Sequence, residues 1–227
     1  MKIEFLEEVG STNEYIKRYL LSGEDRIVIA KRQTGGKGTK GRSFLSESGG
    51  VYLSALNFYK NFPAENAFLI MAHAAVAVSE TAESFGLDPE IKWPNDVLLA
   101  GKKLAGILVE NTIDGGEVKS SIVGIGLNVL NELGELKEIA VSLSEAAGRI
   151  VPLDEARGYL IENLQRKISF DDYIGRVRFL GKEVRVIESG GETYFGKAVG
   201  VNPDGRLEVE RGGKSVLLSA AEISLRI

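Results

Sequence analysis

With 227 residues, 44% of them apolar, the chain is long enough to bury one large core and a second, smaller one. Its net charge of −4 argues against a nucleic-acid binder working through general positive charge. The absence of cysteine excludes disulfides, thiolate metal sites and a cysteine nucleophile, and the single histidine, His73, leaves little scope for metal clusters or a serine–histidine–aspartate triad.

Acidic residues in "MKIEFLEEVG" do not fit an export signal, and no window approaches the ~20 apolar residues of a membrane span, so a reducing cytoplasm is the expected compartment. A strand is expected near Ile3 to Leu6, followed by Ser11 as the cap of a helix from Asn13 to Leu21 that stops before Gly23. Arg26 to Ala30 and Val51 to Leu56 read as strands. Between them lies "QTGGKGTKGRS", Gln33 to Ser43, with four glycines, three cations and no acid. Such a loop suits phosphate, because glycine lets backbone N–H groups approach an anion closely while Lys37, Lys40 and Arg42 neutralise it. Gly36, Gly38 and Gly41 satisfy GxGxxG, and Arg42 stands where a P-loop needs lysine. A strand rather than a helix follows, however, which removes the P-loop and the Rossmann turn, and without HRD or DFG a kinase is removed too.

Pro63 suits the first turn of a long helix reaching Phe85, with Gly86 as its left-handed stop and His73 as an ordinary helix residue. Apolar runs at 91–93, 97–99, 104–109 and 119–129 are separated by Pro94-Asn95, Ala100 to Lys102 and Asp114 to Gly116. They predict the hairpins of a mostly antiparallel or mixed sheet. Helices are expected over Glu138 to Ala147 and Leu153 to Ile168. Beyond Val177, turn signals at Gly190-Gly191, Asp204-Gly205 and Gly212-Gly213 punctuate short strands in the manner of a small barrel. The expectation is an α+β chain with a boundary near Asp172 to Gly175, dividing residues 1–174 from 175–227.

Six segments in one order resemble the biotin–protein ligases over nearly the whole chain. They are "STN" at Ser11 to Asn13, the glycine-basic loop, "KWPND" at Lys92 to Asp96, "KLAGILVE" at Lys103 to Glu110, "GIGLNV" at Gly124 to Val129 and "EISLR" at Glu222 to Arg226. "KWPND" beside "KLAGILVE" is the most specific pair. The resemblance implies a catalytic domain like that of class II aminoacyl-tRNA synthetases, followed by an SH3-like β-barrel that either clamps substrate or only adds stability. It also implies two steps. The biotin carboxylate attacks the α-phosphorus of ATP to give biotinyl-5′-AMP and pyrophosphate. A lysine of a biotin carboxyl carrier protein or domain then attacks the mixed anhydride. Mg²⁺ is expected with ATP, held by phosphates and water rather than by a ligand cluster.

By the same resemblance, Lys92 bridges the biotin carboxylate and the α-phosphate, where positive charge placed in advance offsets the repulsion of two anions. Ser11, Thr12, Asn13 and Gln33 match contacts to the ureido and thiophene rings, with Lys37, Gly38 and Thr39 beside them. Lys37, Lys40, Arg42, Phe44 and Asn128 match the nucleotide side, Phe44 replacing a tryptophan that stacks on adenine. Asp96 is a candidate to orient or deprotonate the acceptor lysine, or equally to fix its turn. Gly106 and Gly124 leave room near the ring or mark strand irregularities. The loop departs from the family's "GRGRRGR": Lys37 keeps charge without the guanidinium fork, and Thr39 has none. Lipoate–protein ligase and a biotin-binding sensor that does not transfer are the alternatives. With "STN" at residues 11–13, the short form without a DNA-binding domain is expected. A homodimer through a sheet edge is compatible with the apolar strands.

Overall fold

The computed structural model describes residues 1–188, 191–220 and 223–226; Gly190 of one expected turn and Glu222 of "EISLR" lie outside them. Among the described residues, seven strands form the larger sheet: β1 (Lys2–Val9), β2 (Arg26–Gln33), β3 (Val51–Phe58), β4 (Glu90–Lys92), β5 (Asp96–Leu99), β6 (Lys102–Asp114) and β7 (Glu117–Leu127). Their spatial order is β1-β2-β3-β7-β6-β5-β4, with β1 parallel to β2 and every other pair antiparallel. The sheet is therefore mixed, as the hairpin spacing predicts.

Side chains alternate across each strand, so the sheet has two distinct faces. Ile27, Ile29, Leu53, Ala55, Val123 and Ile125 belong to the main core with helix α2 (Phe68–Glu83), whose alanine-rich face is buried. Val28, Leu56 and Ile122 point the other way and meet Ile16 of helix α1 (Thr12–Ile16). Helix α1 is short and shields only part of that second face. The rest lies open, floored by Gly106, Gly124 and Gly126, where Gly106 and Gly126 are directly paired across β6 and β7.

The helices differ from expectation for identifiable reasons. Ser11 occupies the N-cap position of α1, but its hydroxyl makes no capping bond, and after Ile16 the chain tightens into a 3₁₀ turn at Lys17–Tyr19 rather than running on to Leu21. Pro63 precedes a separate 3₁₀ turn at Ala64–Asn66, not the first turn of α2 itself. The helix expected over Glu138 to Ala147 does not form as one piece. Lys103 N–H donates to the Ile139 carbonyl at 2.9 Å and Val141 N–H to that of Lys103 at 3.0 Å, so this backbone pairs with β6. Helix α3 (Leu143–Ala147) starts only after Ser142, whose hydroxyl accepts from Glu145 N–H. The pattern over Leu153 to Ile168 divides as well. Helix α4 (Leu153–Asn163) ends, and a capping box between Ser169 and Asp172 starts α5 (Phe170–Ile174).

Strands β8 (Glu183–Glu188), β9 (Thr193–Val201), β10 (Leu207–Arg211), β11 (Lys214–Leu218) and β12 (Ile223–Arg226) follow. They form an antiparallel sheet in the order β11-β10-β9-β8-β12, the SH3-like unit. No helix among the described residues is long and apolar enough to cross a membrane. His73 sits on α2 with Nε2 donating to the Arg166 carbonyl at 2.8 Å, apart from the open face.

Candidate active site

A cleft of about 530 Å³ occupies the open face of the large sheet. Ser11, Thr12, Asn13, Gln33, Lys37, Gly38, Thr39, Arg42, Phe44, Lys92, Asp96 and Asn128 all line it; of the residues expected to bind or activate substrate, Lys40 alone stands outside.

One end is a cluster of neutral polar groups. The Thr12 backbone N–H donates to Gln33 Oε1 at 2.8 Å, which fixes the orientation of that amide, and Gln33 Nε2 donates to Ser46 Oγ at 2.8 Å. The Ser54 hydroxyl donates to Asn13 Oδ1 at 2.6 Å and lies 2.8 Å from Thr12 Oγ1, which is itself 3.0 Å from Gln33 Oε1. Thr12, Asn13 and Ser54 are buried, as unpaired hydroxyls and amides could not be without large cost, and Ser11 is buried beside them. Gly124 is what admits Asn13: a Cβ at position 124 would overlap Asn13 Oδ1 and lie 2.8 Å from its Cγ.

Lys92 lines the cleft from the end of β4, the edge strand of the sheet, and the "KWPND" hairpin that carries it is held from several directions. Ile91 N–H donates to the Arg176 carbonyl at 2.8 Å, Trp93 Nε1 to the Gly205 carbonyl of the SH3-like unit at 2.9 Å, and Tyr173 Oη to the Pro94 carbonyl at 3.2 Å. Asn95 exchanges bonds with Ile107, its Nδ2 donating at 3.0 Å and its carbonyl accepting at 3.0 Å. Asp96 faces Lys103, with Oδ1 2.7 Å from Nζ, an ion pair whose alignment falls short of a hydrogen bond.

The glycine-basic segment folds as a small hairpin over the cleft. Gly38 N–H donates to the Arg42 carbonyl at 2.7 Å and Phe44 N–H to that of Gly36 at 2.9 Å. Arg42 turns back on Thr39, donating to Oγ1 at 3.2 Å. Lys37 Nζ reaches Glu14 Oε1 at 2.8 Å, and Lys17 bridges Glu14 and Glu110 at 2.9 Å each. Lys37, and after it Lys17, holds the Glu14 carboxyl below its ordinary range, while Glu14, and after it Glu110, holds the Lys17 ammonium above its own. The Phe44 ring lies on the paired glycines: a Cβ at 126 would overlap it, 2.7 Å from Cζ, and one at 106 would come 3.0 Å from Cε2. Asn128 is occupied structurally, its Nδ2 donating to the Val141 carbonyl at 3.3 Å and its Oδ1 accepting from Asn131.

Ser54, Glu110 and Lys103 join the site without having been singled out. Ser54 had a signal, a hydroxyl inside an otherwise apolar strand. Glu110 and Lys103 close and open "KLAGILVE", but only β6 with its register shows that Glu110 and Gly106 lie on the cleft face.

The chain matches the model of the Biotin/lipoate A/B protein ligase family over residues 5–128 and that of the Biotin protein ligase C terminal domain over residues 179–226. It is 32% identical to the bifunctional ligase/repressor BirA of Bacillus subtilis over 89% of this chain and 66% of that protein, so it spans just under two thirds of that relative's length. It is 30% identical to the biotin–[acetyl-CoA-carboxylase] ligase of Mycobacterium tuberculosis over 98% of this chain and 88% of the relative. A solved biotin protein ligase from Aquifex aeolicus, in complex with biotin and ATP, superposes with a TM-score of 0.80 at 31% identity, covering 99% of this chain and 98% of that one. Fold and site thus define an α+β ligase domain joined to an SH3-like unit. The chain belongs to the biotin/lipoate A/B protein ligase family.

Proposed function

We propose that this chain activates biotin with ATP as biotinyl-5′-AMP and transfers the biotinyl group to a lysine of a carboxylase's biotin carrier, in the cytoplasm. The carrying observation is one cleft with two chemically opposite ends. Neutral hydrogen-bonding groups from Thr12, Asn13 and Gln33, backed by Ser54, lie over Gly124 of β7, and the cations Lys92 and Lys103 lie toward the β4 edge of the sheet, with Arg42 on the hairpin above. The first end suits a ureido ring, which needs a few well-aimed polar partners in a tight pocket. The second suits a carboxylate meeting a triphosphate, where the barrier is anion against anion.

In this reading Lys92 neutralises the attacking carboxylate and the α-phosphate together, and Lys103 adds a second cation beside it. Because Lys103 already pairs with Asp96, Asp96 orients rather than abstracts until the acceptor lysine enters. Mg²⁺ enters as part of the nucleotide substrate, held by phosphates and water. Residues 1–174 are assigned catalysis and 175–227 the SH3-like support of the "KWPND" hairpin. The aliphatic tail and lysine acceptor of lipoate transfer would make similar use of the cation end, so the ring decides. ATP–pyrophosphate exchange measured with biotin, with lipoate and with neither tests this directly. Exchange is expected with biotin alone, and Lys92→Ala is expected to lose on the order of 10²–10³ in rate with its fold intact. Exchange that follows lipoate, or near-normal exchange by a folded Lys92→Ala variant, overturns the proposal.

A further inference from the structure

The Asn13 amide is oriented by a charged group outside the cleft. Its Nδ2 lies 2.8 Å from Glu110 Oε2, and since a carboxylate only accepts, the NH₂ must face Glu110. Its Oδ1 therefore faces Ser54 and the cleft, which is consistent with the 2.6 Å contact there. The other oxygen of Glu110, Oε1, is taken by Lys17 Nζ at 2.9 Å, so the carboxylate is held at both oxygens. Inside the cleft, three O···O contacts link Asn13, Ser54, Thr12 and Gln33, yet only the two hydroxyl hydrogens of Ser54 and Thr12 are available to fill them. The cluster has an excess of acceptors. It is complemented by a ring carrying N–H donors, as a ureido group does and a dithiolane does not.

We infer that Glu110, clamped by Lys17, is a positioning residue for ring recognition: it sets Asn13 as an acceptor and so selects N–H-bearing rings. This rests on the reading of the cleft as a biotin site. The arrangement makes a particular prediction for Glu110→Gln, which keeps the shape but leaves one oxygen. The Lys17 ammonium also holds Glu14, but it is a donor only and an NH₂ cannot face it, so the amide oxygen at position 110 turns to Lys17, the NH₂ of the substituted side chain turns toward Asn13 and the Asn13 amide turns over to meet it. The cleft then presents donors where it presented acceptors. Removing the competing cation restores the original choice: in the double variant Lys17→Met/Glu110→Gln, the amide oxygen at position 110 is released to Asn13 Nδ2.

The test is ATP–pyrophosphate exchange with biotin, preceded by the wild-type measurement that establishes the underlying reading. Given wild-type exchange, Glu110→Gln should raise KM for biotin at least about tenfold, the effect of losing a charge-assisted hydrogen bond, with KM for ATP and kcat at saturating biotin near wild type. Lys17→Met/Glu110→Gln should recover most of that loss. A Glu110→Gln variant with unchanged biotin KM overturns the inference, as does a double variant no better than the single one, because a packing role for Glu110 gives no reason for rescue by deleting a second side chain. Should the glutamine variant fail to fold, Glu110→Ala removes the acceptor outright while Lys17 keeps Glu14, and the same rise in biotin KM is expected; no rise overturns the inference.

Discussion

Replacing Gly205 with alanine should open the seam between the SH3-like unit and the "KWPND" hairpin. Gly205 has φ of +87°, and a Cβ there would overlap the Phe68 ring and lie 2.9 Å from Phe68 Cβ. Phe68 has little room to yield, because Tyr173 stands edge-on at 5.5 Å and Phe170 at 6.4 Å. The left-handed backbone costs a residue with a Cβ about 1–2 kcal/mol. Displacing the ring adds about 1–3 kcal/mol. If the turn retreats instead, the Trp93 Nε1–H, donating to the Gly205 carbonyl at 2.9 Å, is left buried and unpaired at about 1–3 kcal/mol. Either route destabilises by about 2–5 kcal/mol. Trp93 is the only tryptophan of the chain and is 3% exposed, so its fluorescence reports this seam and no other place. Urea denaturation followed at Trp93 should show the loss as a lower midpoint, and native emission should move to the red. A variant whose stability stays within about 0.5 kcal/mol of wild type, with unshifted emission, would refute the packing argument.

Three further outcomes are expected. Gly124→Ala should drive Asn13 off Glu110 and Ser54 and weaken biotin binding by about 2–3 kcal/mol, measured by calorimetry; unchanged affinity would show that Asn13 makes no ring contact. Thr39→Arg adds a cation beside Arg42 on the hairpin over the cleft and should slow release of the adenylate in a rapid-dilution assay, an expectation that release at the wild-type rate or faster would sink. Glu14 has its pKa lowered by Lys37 and then Lys17, so its pairing stabilises the fold above the ordinary carboxylate range, and that contribution is lost as pH falls through the lowered value. The Tm difference between wild type and Glu14→Gln should therefore hold from about pH 8 to about pH 5 and close only under more acid conditions; a difference that grows on acidification would contradict the sign.

Local pattern determined a good deal of this protein. Period-two alternation marked β2 and β3, the glycine and proline signals marked the hairpins of β4 to β7, and "KWPND" with "KLAGILVE" marked the chemistry, because strand period, turn residues and motif chemistry are written in adjacent residues. Helix extent over Glu138 to Ala147 was not, since the backbone of Ile139 to Val141 answers to β6, more than thirty positions earlier. Nor was the role of Glu110. Its alignment over Asn13, 97 residues away, depends on the β6–β7 register, on the glycine at 124 that lets the amide lie against the sheet, and on Lys17 arriving from the turn after α1. A one-residue slip in that register would send Glu110 to the opposite face of the sheet, so only the assembled tertiary structure could join it to the site.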